Sequence, residues 1–392
     1  MGLEVFARDK NLSKNWGRCG LLANQASVDL ELNNAWKIAS SVLGKRLIAL
    51  FGPQHGYSGT VQYNMAETSN DVHAASGLPV YSLYGEYRKP TTAMLEGLDC
   101  LIIDLQITGC RIYTWKATID LCLQAAVENN KKIVILDRPN PIGGETIEGR
   151  VLDSGFESFV GSGTLPMRHG LTTGEAALFL NQKHHADLEV VKMEGWDPKK
   201  YWHELGRDWI LTSPMLPQTD SLYVYPGTVL IEGTNLSEGR GTTLPFQFIG
   251  APYIKEPTAF IAKIKEHSDG APGLKFRPAS FIPTWNKWQG KGCEGIHLVI
   301  ENFAKIRSYA LTLAIIRSCI ELYDKEFEFE KPGYEYDYEN LPINLLIGSK
   351  VADKMLLAAN FSNSDHFWHD GIEDFIEKVK PMLLYPRLQT QL

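Results

Sequence analysis

The 392-residue chain has no window of about eighteen uncharged apolar residues, which excludes a membrane-spanning helix. It has no excess of basic charge either. The formal net charge is −7, and nucleic-acid binding needs a basic patch that neutralises phosphates. No Cys-x-x-Cys pair occurs among the six cysteines, Cys19, Cys100, Cys110, Cys122, Cys293 and Cys319. Scattered thiols in a long chain read as small buried apolar residues in a reducing compartment. The first residues, MGLEVFARDKNLSKNW, lack an apolar leader core. The expectation is a cytoplasmic protein, or a secreted or periplasmic one if the true start lies upstream.

Nucleotide and metal signatures are missing too. The first strand runs into LLANQASV rather than G-x-G-x-x-G, and there is no P-loop and no H-E-x-x-H. His184-His185 and His366-x-x-His369 lack the carboxylate or cysteine spacing of a zinc site. No cofactor and no metal are expected.

What is present is a set of apolar runs that end in polar residues. Leu47–Gly56 (LIALFGPQHG) leads: a buried strand, then a Gly-Pro turn presenting Gln54 and His55. Leu101–Gly109, Ile133–Pro141 and Leu230–Gly241 repeat the pattern. Further strands are expected at Arg18–Gln25, Leu78–Tyr84 and Leu188–Met193, and helices at Asn34–Val42 and about Thr114–Glu128. Thr172-x-x-Glu175 reads as a capping box opening another helix. Strand and helix alternating in this way indicate an α/β fold with a parallel sheet covered on both faces. The Pro-rich stretch Thr212–Tyr225 marks a boundary. The expected division is a Rossmann-like domain over residues 1–220 and a smaller α+β domain over residues 221–392, with helices near Ile306–Tyr323 and Ile372–Val379.

Open α/β sheets bind ligands beyond the carboxyl ends of their strands, so the residues there are the site candidates. Asp104 and Gln106 follow one strand, and a carboxylate after LII needs a partner, for which Arg111 and Tyr113 are at hand. Asp137 and Arg138 follow another, with a structural ion pair an equal alternative. Arg168 and His169 precede a helix amino terminus, a natural anion site. The glycine-rich loop EGTNLSEGRGT brings Glu232, Asn235, Glu238 and Arg240 together, with side chains suited to sugar hydroxyls.

GLLANQ, LFGPQHGYSG, LPVYSLYG, DLQITGCRIYTW, LDRPNPIGG, MRHGLTTGE, YPGTVLIEGTNLSEGRGTTLPF and GAPY occur in this order. In sequence they resemble the NamZ (YbbC-like) family of exo-acting β-N-acetylmuramidases. The resemblance implies a glycoside hydrolase that removes N-acetylmuramic acid from the non-reducing end of peptidoglycan fragments during cell-wall turnover or recycling. It also implies an active site in a cleft between the two domains, and a small saccharide as the partner. Two positions depart from the family pattern. Gln54 stands where the family commonly has a glutamate resembling the catalytic acid/base, and Ile107 where it commonly has aspartate. Glu67, Glu232 and Glu238 are then the candidate acids, with Glu67 favoured because its loop follows GPQHG. Gln54, beside His55, would orient the substrate acetamide or the leaving oxygen. Arg138, Arg168 or Arg240 would hold the lactyl carboxylate by a bidentate contact. Retaining, inverting and substrate-assisted routes all fit. A non-catalytic muropeptide-binding protein and a hexosaminidase for another N-acetyl sugar are the alternatives.

Overall fold

A computed structural model describes residues 1–387. The first part of the chain builds a seven-stranded sheet. Its strands are β1 (Cys19–Leu22), β2 (Leu47–Gly52), β3 (Asp71–Val72), β4 (Pro79–Ser82), β5 (Cys100–Ile103) and β6 (Lys132–Leu136). After a two-stranded ribbon of β7 (Glu148–Val151) and β8 (Pro166–Arg168) comes its last strand, β9 (Leu188–Val191). The order across the sheet is β3-β4-β2-β1-β5-β6-β9, parallel except where β3 meets β4.

Every residue of β1 and β5 is buried, as expected of strands covered on both faces. Side chains alternate along a strand, and the core divides accordingly. Leu21, Leu50 and Ile102 pack with Leu3, Phe6 and Trp16 under the helices Gly2–Arg8 and Ala35–Leu43. Leu22, Phe51, Leu101 and Ile103 face the other way, into a core that continues through Ile231, Leu236, Ile249 and Leu345 of the second part. That face therefore joins the two halves of the chain.

The second part holds an antiparallel sheet, β10 (Phe248–Ala251), β11 (Leu274–Phe281) and β12 (Cys293–Ile300), in the order β10-β12-β11. The helix Pro257–His267 packs on it, and the helix Ser308–Leu322 packs in turn on that helix and on the helix Thr219–Thr228. The α/β class is as expected, and strand ends agree with the sequence reading to within about three residues. Two expectations are corrected. Leu230 does not lie in a strand: Val229–Gly233 is a 3-10 helix that continues the helix Thr219–Thr228. Its residues are all buried, and periodicity in so short an apolar run does not separate helix from strand. The stretch Thr212–Tyr225 is irregular only up to Gln218, so the two parts are joined by a helix.

Thr172 and Glu175 form the expected capping box on the helix Thr173–Asn181. All six cysteines are free and buried. Among the described residues no helix is long and apolar enough to cross a membrane.

Candidate active site

The turn after β2 is set by backbone sterics. A side chain at Gly52 would put its Cβ 2.6 Å from the backbone nitrogen of Tyr57. Gly56 donates to the Pro53 carbonyl at 2.9 Å, and His55 takes φ +73°, rare for a non-glycine residue. This turn aims Gln54 and His55 into a well shared by Tyr113, Thr114, Ser213, Glu232, Arg240, Tyr334 and Glu335. Free space in the well is about 40 Å³, room for a few waters. Two of its walls, Asn64 and the Tyr334–Glu335 turn, belong to loops.

Glu335, which the sequence reading did not single out, lines this well. It is 5% exposed and sits at φ +45°. The Tyr84 hydroxyl donates to its Oε2 at 2.8 Å, and Gln54 Nε2 donates to its Oε1 at 3.4 Å. Gln54 is itself oriented, because the Thr114 hydroxyl donates to its Oε1. Burial pushes the Glu335 carboxyl up to about 7; the nearby Glu232 adds to the rise, while the Tyr84 hydrogen bond opposes it. A carboxylic acid that keeps its proton near neutrality suits general-acid work.

Glu232 lies in the same well. Arg240 Nη2 donates to its Oε1 at 2.5 Å and the Tyr334 hydroxyl to its Oε2 at 2.6 Å. Burial raises its pKa, with the Arg240 charge pulling the other way. Arg240 Nη1 is buried without a partner among the described residues. His55 donates from Nδ1 to the Val61 carbonyl at 2.7 Å, leaving Nε2 to accept from the Ser213 hydroxyl at 3.0 Å. Burial pushes its pKa down to about 4, so the ring is neutral and ties the start of the 61–68 loop to the turn after β2.

The structure brings Gln54, His55, Tyr113, Glu232 and Arg240 together and places the other candidates elsewhere. Glu67 is 54% exposed, bound to Arg88 at 3.2 Å on the outer side of its loop. Asp104 pairs with Arg138, not with Arg111 or Tyr113, through a bidentate contact of 2.5 and 2.8 Å that is almost wholly buried. Arg111 donates instead to four backbone carbonyls, those of Arg150, Leu165, Leu346 and Ile347. Gln106 Nε2 donates to the carbonyls of Ile107 and Pro139. Asp137 does not pair with Arg138. Tyr385, Thr172 and the Gly174 amide donate to it, and burial raises it to about 7.

Arg168 pairs with Glu148 at 2.8 Å, and His169 Nδ1 accepts from the Leu171 amide. The helix amino terminus beyond them is already satisfied by Thr172, Glu175 and Asp137, so it has no amide to offer an anion. Asn235 is held by Tyr253 and the Glu326 carbonyl. Glu238, on the far side of Glu232, is bound by Asn286 at 3.1 Å, with Arg240 and Lys287 each 3.3 Å away. Among the described residues no group of three or more His, Cys, Asp or Glu side chains is placed to hold a metal ion.

The models of the exo-β-N-acetylmuramidase NamZ amino-terminal and carboxyl-terminal domains match residues 19–220 and 223–385. The chain is 37% identical over 388 residues to the peptidoglycan β-N-acetylmuramidase NamZ of Bacillus subtilis, covering 98% of this chain and 91% of that one. Two crystal structures of DUF1343 family proteins from Bacteroides fragilis have the same fold. One has TM-score 0.87 and 32% identity over 98% of both chains; the other has TM-score 0.73 and 26% identity over 99% of both. On this evidence the chain belongs to the NamZ family of exo-β-N-acetylmuramidases.

Proposed function

We propose that the protein is a glycoside hydrolase that releases β-linked N-acetylmuramic acid from the non-reducing end of peptidoglycan-derived saccharides, in cell-wall turnover or recycling. The observation that carries this reading is Glu335, a buried carboxyl with a pKa of about 7 hydrogen-bonded to Gln54. Gln54 has no proton to give at neutral pH, and Glu335 supplies an acid at that side chain from another part of the chain. In this reading Glu335 protonates the leaving oxygen as the glycosidic bond breaks. Glu232, neighboured by Arg240 and Tyr334, is the second carboxyl group of the pair that glycoside hydrolysis ordinarily uses. The unpartnered Nη1 of Arg240 receives the lactyl carboxylate, the one anionic group that separates muramic acid from glucosamine.

The deciding experiment compares a chromogenic β-N-acetylmuraminide with the matching β-N-acetylglucosaminide, with EDTA present. Release from the muraminide alone is expected. Folded protein that binds a muramyl glycoside and turns over neither substrate would favour a muropeptide-binding protein. Equal rates on both would favour a hexosaminidase indifferent to the lactyl group.

A further inference from the structure

Glu335 is carried at the tip of a tight turn. Tyr334 and Asp337 exchange backbone hydrogen bonds of 3.1 and 3.0 Å, with Glu335 and Tyr336 between them. The φ values of these two are +45° and +71°. Two-residue turns with both centres at positive φ ordinarily take Asn-Gly, because other side chains are strained there. Two side-chain contacts from the segment Tyr84–Arg88, just after β4, hold the turn in place. The Tyr84 hydroxyl donates to Glu335 Oε2 at 2.8 Å, and the Arg88 guanidinium lies 3.1 Å from the centre of the Tyr336 ring. Tyr84 is fully buried and is not among the residues lining the well, so it reaches the chemistry only through Glu335.

A carboxyl that gives up a proton has to carry it on a defined oxygen. A hydroxyl donates best to the carbonyl oxygen of a protonated carboxyl, so the Tyr84 bond makes Oε2 that oxygen and leaves the proton on Oε1. Oε1 meets Gln54 Nε2, which the Thr114 bond turns toward it and which has no lone pair to accept a proton. The proton on Oε1 is thus left for the well. We infer that Tyr84 is the positioning residue of the acid: it keeps the Glu335 proton on Oε1 and holds Oε2 throughout the reaction. The inference rests on the hydrolase reading above. As the glycosidic C–O bond breaks, its electron pair passes to the leaving oxygen, which takes the proton from Oε1. Water supplies the hydroxyl at the anomeric carbon, and its remaining proton restores Glu335. In between Glu335 is a carboxylate, and the Tyr84 hydrogen bond, now to a charged acceptor, is stronger than in the resting protein. It therefore stabilises the transition state more than the ground state. Of the other groups around Glu335, Glu232 disfavours the carboxylate and Arg88 favours it. Arg240 is paired with Glu232 and Glu67 with Arg88, the Tyr334 hydroxyl donates to Glu232, and His55 is neutral. Loss of the Tyr84 hydroxyl removes none of these.

The test uses the full chain with Tyr84→Phe, which keeps the buried ring, and two β-N-acetylmuraminides. One is a disaccharide whose leaving N-acetylglucosamine needs protonation; the other is the 2,4-dinitrophenyl glycoside, whose leaving group departs as a stable anion. Rates are taken per folded molecule, from urea melts of each variant. On the disaccharide, below the falling limb, Tyr84→Phe lowers kcat/KM about 10- to 100-fold, the loss of one hydrogen bond to a charged group. The limb itself moves to higher pH, because the carboxylate has lost a donor. On the dinitrophenyl glycoside kcat/KM stays within about threefold, which also shows that the well is intact. Equal losses on both substrates with the limb unmoved, or no loss on either, overturn the inference and make Tyr84 a packing residue. Glu335→Gln, measured alongside, separates that failure from failure of the acid. If Glu335→Gln keeps its rate on the disaccharide, Glu335 is not the acid; if the unsubstituted protein cleaves neither glycoside, the hydrolase reading falls. Either result takes this inference with it.

Discussion

The carboxyl ends of β1 and β5 and the carboxyl end of β2 are neighbouring places on one sheet, yet their polar residues do opposite work. Strand order reverses at β1, with β2 on one side and β5 on the other, so the crevice between β1 and β5 is where an open sheet ordinarily binds its ligand. Here it is filled. Arg138 bonds both Asp104 oxygens and the Val28 carbonyl, and Ser27 donates to the Asp104 carbonyl, which fastens the loop after β1 over the crevice. One strand over, Gln54 meets a carboxyl that burial keeps protonated, and Arg240 keeps a donor unused. Charges that satisfy each other close a crevice. The well differs in holding both together, a carboxyl raised by burial and an arginine nitrogen without a partner among the described residues.

Substitution at the open end gives the largest expected effect. Glu335→Gln lowers kcat on the muraminide by about 10²- to 10⁴-fold, the usual contribution of a general acid, with the fold intact. Glu67→Gln, on the outer side of its loop, leaves kcat within about threefold. If Glu67→Gln is the silent enzyme and Glu335→Gln the active one, the acid lies on the exposed loop and not in the well.

At the closed end the loss is one of stability. Arg138→Met strands the Asp104 carboxylate in a buried site and costs about 3–5 kcal/mol, while the molecules that remain folded keep their kcat/KM. Denaturant melts beside active-site titration separate the two quantities. A Michaelis constant that rises with retained stability would show that the crevice binds substrate after all.

Arg240→Gln gives a smaller and selective effect. Losing a charged donor to a carboxylate is worth about 1.5–3 kcal/mol, roughly a 10- to 100-fold fall in kcat/KM on the muraminide. Activity on the glucosaminide, where any is measured, also falls, because Glu232 loses its Arg240 partner, but the muraminide loses more, since only that sugar carries a lactyl carboxylate.

The contrast between the two crevices also explains what the sequence made legible. Local patterning was enough for the parallel sheet, for Gln54 and His55 after β2, and for the glycine-rich loop carrying Glu232 and Arg240. It gave Asp104 and Arg138 the same standing, because a polar residue after an apolar run looks alike whether its partner is a ligand or another side chain. Glu335 left no such mark. It follows no apolar strand and meets Gln54 across 281 positions of sequence, a contact no periodicity encodes. Its surroundings, PGYEYDYEN, alternate carboxylates with tyrosines, but Asp337 stands between two tyrosines just as Glu335 does, so the pattern does not choose between them. Glu67 is the converse case: near Gln54 in sequence, it is exposed and held by Arg88 and Tyr336 outside the well.

The smallest expected effects are in pH dependence, and they separate the acid from its neighbour. Because Glu335 must hold its proton, kcat/KM falls as pH rises through about 7. Gln54→Glu places a second carboxyl against it; two such groups resist ionising together, so the falling limb moves to higher pH by about one unit. The same proton appears in stability. Below about 4.5 Glu335 is protonated in both folded and unfolded chains, and its contribution is fully present. Between about 4.5 and 7 the unfolded chain ionises while the folded one does not, so about 3 kcal/mol is lost as pH rises. Asp137 has the same sign over a similar window and is untouched by changes in the well. Glu335→Gln should therefore flatten the fall in stability between pH 4.5 and 7.5 without abolishing it, as urea melts at those two values would show. An unchanged slope would mean that Glu335 ionises in the folded protein as it does in water, and the acid would have to be sought in Glu232.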